Sequence, residues 1–328
     1  MRTPTPAHAS LAYPAGGART GTSTGAGAAH AKAILLGEHA AVYGAPALAL
    51  PVHGLGVHAD VAPAEAILLG SELFTGPAAE APARLWPVLT AVRAALDHQP
   101  SLSGARVQIR SSVPYERGLG SSAAVAAAVA RAVADLGGAE LSPDALYGIV
   151  QEAERVAHGH PSGLDARAVT AGGPIRFQRG QASPVRVGSP LVFTLADSGA
   201  SGSTAQAVAQ VRARRDADPA AVDTVIDRIA TLTEAATGDL TRGDGVALGE
   251  RMTQTHHLLA GLGVSDHRLD ALVAAALAAG AAGAKLTGGG QGGCIIALAR
   301  STEHAEQLGS ALRAAGAPRT WTTTVPAR

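Results

Sequence analysis

Lysine is nearly missing from this 328-residue sequence: of 26 Lys and Arg residues, only Lys32 and Lys285 are lysines. Cysteine is scarcer still. Cys294 stands alone, which excludes an internal disulfide framework, and its apolar neighbours in CIIALA mark a core thiol and not a nucleophile. Aromatic residues make up only 3% of the chain, so its helices must pack closely through small side chains, alanine above all. Net charge is absent too. The 26 basic residues balance 26 acidic ones, and no basic run exists that could grip a polyanion, which argues against nucleic acid as a partner. No stretch is long and apolar enough to cross a bilayer, and the opening residues lack the basic-then-apolar order of a secretory signal. A cytoplasmic protein with no membrane partner is expected.

A chain of this length exceeds what one hydrophobic core usually organises, so two domains are expected. Residues 1–25, rich in Ala, Gly, Thr and Pro without a period, read as a flexible tail. From Ala31 the text AKAILLGEHAAVYGAPALAL predicts a strand, a loop holding Glu38 and His39, and a second apolar element. VHGLGVHADVA and ARVQIRSSVP alternate as half-exposed strands do, and ARLWPVLTAVRAALDHQ between them has helical spacing. Ser142 as N-cap and Pro143 at the first helical position open a helix that should stop near Gly159. The prolines of QASPVRVGSP place a domain boundary near residue 190, dividing the folded part into 26–190 and 191–328. Beyond it come the strand LVFTLAD, two helices, the glycine cluster KLTGGGQGGC, the strand CIIALA, a helix from about Glu303 to Ala315, and a closing strand. Helices and strands mixed without strict βαβ alternation predict an α+β fold.

Gly118-Leu119-Gly120-Ser121-Ser122-Ala123 precedes an alanine-rich helical run, so its glycines can let backbone N–H groups converge on an anion at a helix N-terminus. A hydroxyl of Ser121 or Ser122 could meet the magnesium that accompanies ATP. The other reading is an ordinary serine-capped helix. No Gly-Lys-Ser/Thr follows, which excludes the common P-loop, and a dinucleotide fingerprint also fails. Glu154 and Asp165 flank the break at Gly159 to Pro161, and a turn there could bring both to one site. Phosphoryl transfer needs a magnesium ligand, for which Glu154 is suited, and a carboxylate that orients the attacking hydroxyl or takes its proton, for which Asp165 is suited. Against this stand a capping box, Ser162-x-x-Asp165, and a solvated helical face around Glu154. Lys32 could lower the pKa of an approaching alcohol or neutralise charge on the travelling phosphoryl group. The cluster Gly288 to Gly293, interrupted by Gln291, either closes over a nucleotide or forms a helix-to-strand turn.

In this order the segments KAILLGEHAAVYGAPAL, GLGSSAA, ERVAHGHPSGLD and KLTGGGQGGC resemble the motifs of the GHMP small-molecule kinases, and within them the mevalonate kinases. The resemblance spans residues 31 to 298. It implies an N-terminal domain like domain 2 of ribosomal protein S5, a ferredoxin-like C-terminal domain, and a cleft between them for ATP with Mg²⁺ and mevalonate. It implies that Asp165 is the base assisted by Lys32, and that magnesium meets Glu154 and Ser121 or Ser122. By the same resemblance Gly118 to Ala123 and Gly288, Gly289 and Gly290 hold the nucleotide, and Glu38 and His39 approach the acceptor. Ser201 and Thr204, in ADSGASGSTAQAV, lie near the substrate in similar proteins. A homodimer is a further implication. Two departures stand out: Gly289 and Gln291 in a motif that usually reads G-A-G-G-G-G, and His160 where Asn is frequent. Other readings are a different GHMP acceptor (phosphomevalonate, homoserine or a sugar) and a non-catalytic ATP-binding metabolite sensor.

Overall fold

The computed structural model describes residues 24–159 and 161–328, so the expected tail and His160 lie almost wholly outside the described residues. The chain enters at β1 (Gly25–Leu36), makes a short 3-10 turn (Ala40–Tyr43), and returns along the 17-residue β2 (Ala47–Pro63). β2 is thus one strand where the sequence suggested two. Two short strands, β3 (Leu68–Ser71) and β4 (Phe74–Pro77), precede helix α1 (Trp86–Asp97) and β5 (Ala105–Ser111). Then come α2 (Ser121–Leu136), α3 (Pro143–His158), the single turn α4 (Leu164–Ala168), and the hairpin β6 (Ile175–Gln178) and β7 (Gln181–Pro184). These strands form one sheet in the order β4-β3-β5-β2-β6-β7, with β1 paired antiparallel to β2 along most of its length.

Strand β1 begins within text that reads as tail, and the reason is packing. A Cβ on Gly25 would lie 2.0 Å from the Ala132 carbonyl oxygen, and one on Gly27 would lie 2.1 Å from that of Ala128. The backbone of α2 therefore sits directly on β1, and glycine in the strand permits the approach. Ten of the sixteen residues of α2 are buried, eight of them alanines, so close contact through small side chains arises as the composition suggests. Gly27→Val should cost about 1–3 kcal/mol by forcing strand and helix apart. A urea melt that matches the wild type would refute this account of the contact.

The second sheet is built from β8 (Leu191–Asp197), β9 (Gly283–Thr287), β10 (Cys294–Ala299) and β11 (Thr320–Val325), all antiparallel in the order β11-β8-β10-β9. Helices α5 (Thr204–Ala217), α6 (Pro219–Arg242), α7 (Gly245–Gly261) and α8 (His267–Ala278) connect β8 to β9, and α9 (Thr302–Ala314) connects β10 to β11. With the helical insertion set aside, this is the split β-α-β-β-α-β arrangement of ferredoxin-like folds. The whole is α+β. Four helices stand where the sequence suggested two, and their boundaries carried a readable signal. Asp218, Asp244 and Asp266 each accept a hydrogen bond from an amide of the helix that follows.

Strand β10 shows why CIIALA is apolar throughout: all six residues are buried. Cys294, Ile296 and Leu298 join a core shared with the first sheet and α2, while Ile295, Ala297 and Ala299 join a second core beneath α5, α6, α8 and α9. Cys294 is fully buried and burial pushes its thiol pKa up, which suits a packing role. No helix among the described residues is long and apolar enough to cross a membrane.

Candidate active site

Helix α2 starts at Ser121 directly after Gly120, which has φ 73° and provides no side-chain cap. The first-turn amides of Ser121, Ser122 and Ala123 consequently have no intrahelical acceptor, and the helix dipole adds positive potential where they point. Amides left open in this way can receive an anion, and the terminus is not serine-capped. Strand β1 holds it in place: the Lys32 amide donates to the Leu119 carbonyl at 3.0 Å, and Lys32 Nζ donates to the Gly118 carbonyl at 3.0 Å. A Cβ on Gly120 would press on Lys32 Cγ at 2.9 Å, so glycine there lets the lysine pass beneath the loop.

Lys32 continues past the loop to Asp165, with Nζ 3.1 Å from Oδ1. The lysine side chain is 2% exposed and the aspartate 33%, so one partner is sealed while the other faces the cleft. The capping-box alternative is not realised, because α4 is entered at Gly163 without a side-chain cap and the Ser162 hydroxyl accepts instead from the Leu164 amide at 3.3 Å. Glu154, 2% exposed, is no solvated face either. Its Oε1 accepts a hydrogen bond from the Ser122 hydroxyl at 2.5 Å, which joins α3 to the first turn of α2. Burial pushes the Glu154 pKa up and the nearby Asp165 charge adds to this, while His158, the Ser122 hydrogen bond and Lys32 oppose it. The two carboxylates therefore share one electrostatic neighbourhood. A buried carboxylate beside a hydroxyl is a donor set of hard oxygens, which fits Mg²⁺.

Gly118, Gly120, Ser121, Ser122 and Asp165 line one cavity of about 690 Å³, and Ser201 and Thr204 lie on its wall too. Lys32, Leu119, Ala123 and Glu154 are buried and are absent from that wall. Glu38 and His39 are likewise buried and off it. The Glu38 carboxylate is ion-paired with Lys285, both side chains being at most 1% exposed. His39 Nε2 donates to the Gly289 carbonyl at 2.9 Å, and burial pushes the His39 pKa down.

The third glycine cluster is a strand-to-strand turn between β9 and β10, not a helix-to-strand turn. It packs against the glycine loop that precedes α2. A Cβ on Gly288 would lie 2.7 Å from Gly118 Cα, one on Gly289 would lie 2.8 Å from Thr204 Cα, and one on Gly290 would lie 2.0 Å from the Val264 carbonyl oxygen. Five glycines are needed because backbones meet here from three directions. Gln291 is on the cavity wall and hydrogen-bonds Gln210.

Arg117, Arg319, their partner Asp197, and Lys285 were given no role in the site by the sequence reading. Arg117 and Arg319 line the cavity, and both contact the buried Asp197 carboxylate at 2.9 Å. Nothing in their type or spacing set them apart. Lys285 did carry a signal, as one of only two lysines in an arginine-rich chain.

An amide-lined helix N-terminus, a cation–carboxylate pair beside it and a second carboxylate on its serine are the groups that phosphoryl transfer from ATP to an alcohol calls for. Residues 85–173 match the GHMP kinases N terminal domain and residues 236–318 match the GHMP kinases C terminal. The chain belongs to the GHMP kinases. It is 34% identical over 310 residues to the mevalonate kinase of Pyrococcus horikoshii, covering 88% of this chain and 92% of that protein. The crystal structure of L. major mevalonate kinase in complex with R-mevalonate superposes with a TM-score of 0.79 at 27% identity, covering 94% of this chain and 97% of that one. Streptococcus pneumoniae phosphomevalonate kinase shares the fold at 16% identity, with a TM-score of 0.77 and coverage of 91% and 99%.

Proposed function

We propose that this protein is a mevalonate kinase, which transfers the γ-phosphoryl group of ATP to (R)-mevalonate to give 5-phosphomevalonate in isoprenoid biosynthesis. The observation that carries this reading is the Lys32–Asp165 pair on the lip of the amide cradle, next to the Ser122–Glu154 hydrogen bond. Relatives named as mevalonate kinases, and one solved in complex with R-mevalonate, supply the acceptor.

In this reading the first-turn amides of α2 grip the polyphosphate, and Asp165, open to the cleft, orients the primary hydroxyl and takes its proton at Oδ. Lys32 offsets negative charge where the alkoxide develops, and its own position is fixed by the Gly118 carbonyl. Burial leaves that ammonium little competing water, which strengthens its effect. Glu154 and Ser122, with Ser121 as the alternative hydroxyl, would hold Mg²⁺, which when bound neutralises phosphate charge. Glu154→Gln keeps the Ser122 contact but removes the charge, so the magnesium concentration for half-maximal rate should rise roughly tenfold or more. An unchanged magnesium titration would exclude Glu154 as a ligand.

Phosphomevalonate is the nearest alternative acceptor, since Arg117 and Arg319 stand on the cavity wall. Both are engaged by the one Asp197 carboxylate, which commits part of their charge and argues against a second phosphate there. A non-catalytic sensor would have no physical need to keep Lys32, Glu154 and Asp165 together. The deciding experiment is a coupled ADP-release assay with mevalonate, phosphomevalonate, homoserine and galactose. Mevalonate should give the largest kcat/KM, and a larger value for any other acceptor would overturn the assignment. We also place the domain boundary near residue 190, supported by the gap between β7 of the first sheet and β8 of the second.

A further inference from the structure

We propose that Lys285 is a positioning residue for phosphoryl transfer, holding Glu38 and through it the turn that follows β1, so that the acceptor side of the site is set from the second sheet. The inference rests on the reading that the end of β1 serves the acceptor. Lys285 lies on β9, and Glu38 lies just beyond β1, 247 residues away in sequence. Their side chains meet with 0% and 1% exposure, and Lys285 Nζ also donates to the Leu286 carbonyl at 2.6 Å. Two residues beyond β9, the Gly289 carbonyl accepts from His39 Nε2. One short segment of the second sheet thus grips two consecutive side chains of the first domain.

The grip leaves two atoms over. Glu38 Oε2 and His39 Nδ1 are both buried without a hydrogen-bond partner. A carbonyl oxygen only accepts, so the contact with Gly289 fixes the proton of a neutral His39 on Nε2 and leaves Nδ1 as an acceptor. Each of these two atoms can accept a hydrogen bond, so the grip leaves accepting capacity on the β1 turn. His39 also has φ 61°, a left-handed conformation unusual for a side chain with a Cβ, which a grip at Glu38 and at His39 itself can sustain.

The pair is connected to the chemistry by charge. Lys32, which contacts Asp165, is close enough to act electrostatically on both Glu38 and Lys285. Both lysines of the chain thus belong, with the buried Glu38, to one charged array that opens to the cleft at Asp165. A compact ammonium fits a fully enclosed position that a planar guanidinium would overfill, which gives a physical reason for lysine at this position.

The test is a mutant cycle on the full chain with Lys285→Met, Glu38→Gln and the double variant, assayed by ADP release for acceptor and ATP constants and by thermal melting. Lys285→Met and Glu38→Gln should each lower acceptor kcat/KM about a hundredfold while the ATP KM stays within about twofold. Lys285→Met strands a buried carboxylate and should melt lower than the wild type, whereas the double variant, with both charges gone, should recover the melting temperature. Its activity should fall no further than that of Glu38→Gln, because the two residues act as one unit. Wild-type acceptor constants in Lys285→Met, or losses that multiply in the double variant, overturn the inference and leave the assigned function standing. If Lys285→Met does not fold, the double variant set against Glu38→Gln decides, and a further loss there overturns it. A wild type that prefers another acceptor overturns the mevalonate reading alone, with the cycle then scored on that acceptor. A wild type inactive on every acceptor overturns both.

Discussion

Asp165→Ala is expected to lower kcat by roughly a thousandfold, about 4 kcal/mol on the barrier, while the ATP KM changes little. The asymmetry follows from geometry. Asp165 is on the cavity wall and touches Lys32, whereas the amides we propose to cradle phosphate belong to the first turn of α2 and do not depend on its carboxylate. Lys32 would keep its hydrogen bond to the Gly118 carbonyl, so the loop should hold its shape. A group that acts on the reacting hydroxyl in the transition state lowers kcat and kcat/KM together when it is lost. Rapid-mix measurement of a single turnover checks that the chemical step has slowed. Near-normal turnover in this variant would strip Asp165 of its role.

Gly288→Ala should raise the ATP KM roughly tenfold or more and cost about 1–3 kcal/mol of stability. Two effects combine there. Gly288 has φ 87°, which a residue with a Cβ adopts at a cost, and the added methyl would lie 2.7 Å from Gly118 Cα. Backbone cannot yield as a side chain can, so the cradle itself must move. Gly316→Ala separates the two effects, because Gly316 has φ 103° but nothing within 4 Å of an added Cβ. It should lose stability and leave the ATP KM alone. Equal ATP constants in the two variants would show that the contact between the glycine loops does not shape the nucleotide site.

The pieces of this site that could be read in the sequence are those whose chemistry is local. A glycine loop before an alanine-rich helix makes an amide cradle wherever it occurs, and Ser142-Pro143 opens a helix by the same local rules. Glu154 and Asp165 were legible because the helix break between them is short enough for one turn to bring them together. The short strands β3, β4, β6 and β7 were not legible, having four residues each, too few for an alternation to register. β7 further hides behind Pro184, tolerable because its residues are all exposed. The glycines of β1 looked like linker because their purpose, contact with α2, lies about a hundred residues away.

The sequence by itself determined the class of chemistry, because residue type and order mark where an anion could bind and which carboxylates could accompany it. Only the tertiary structure decided what stands behind those residues. The Glu38–Lys285 pair, the Asp197 clasp on Arg117 and Arg319, and the packing of Gly288 on Gly118 join segments more than a hundred residues apart or lean on buried partners that no local period encodes. Burial is what gives these contacts their force, since a charge pair or a backbone clash matters only where water cannot enter and the chain cannot give way. That condition is a property of the packed molecule and not of any stretch of its text.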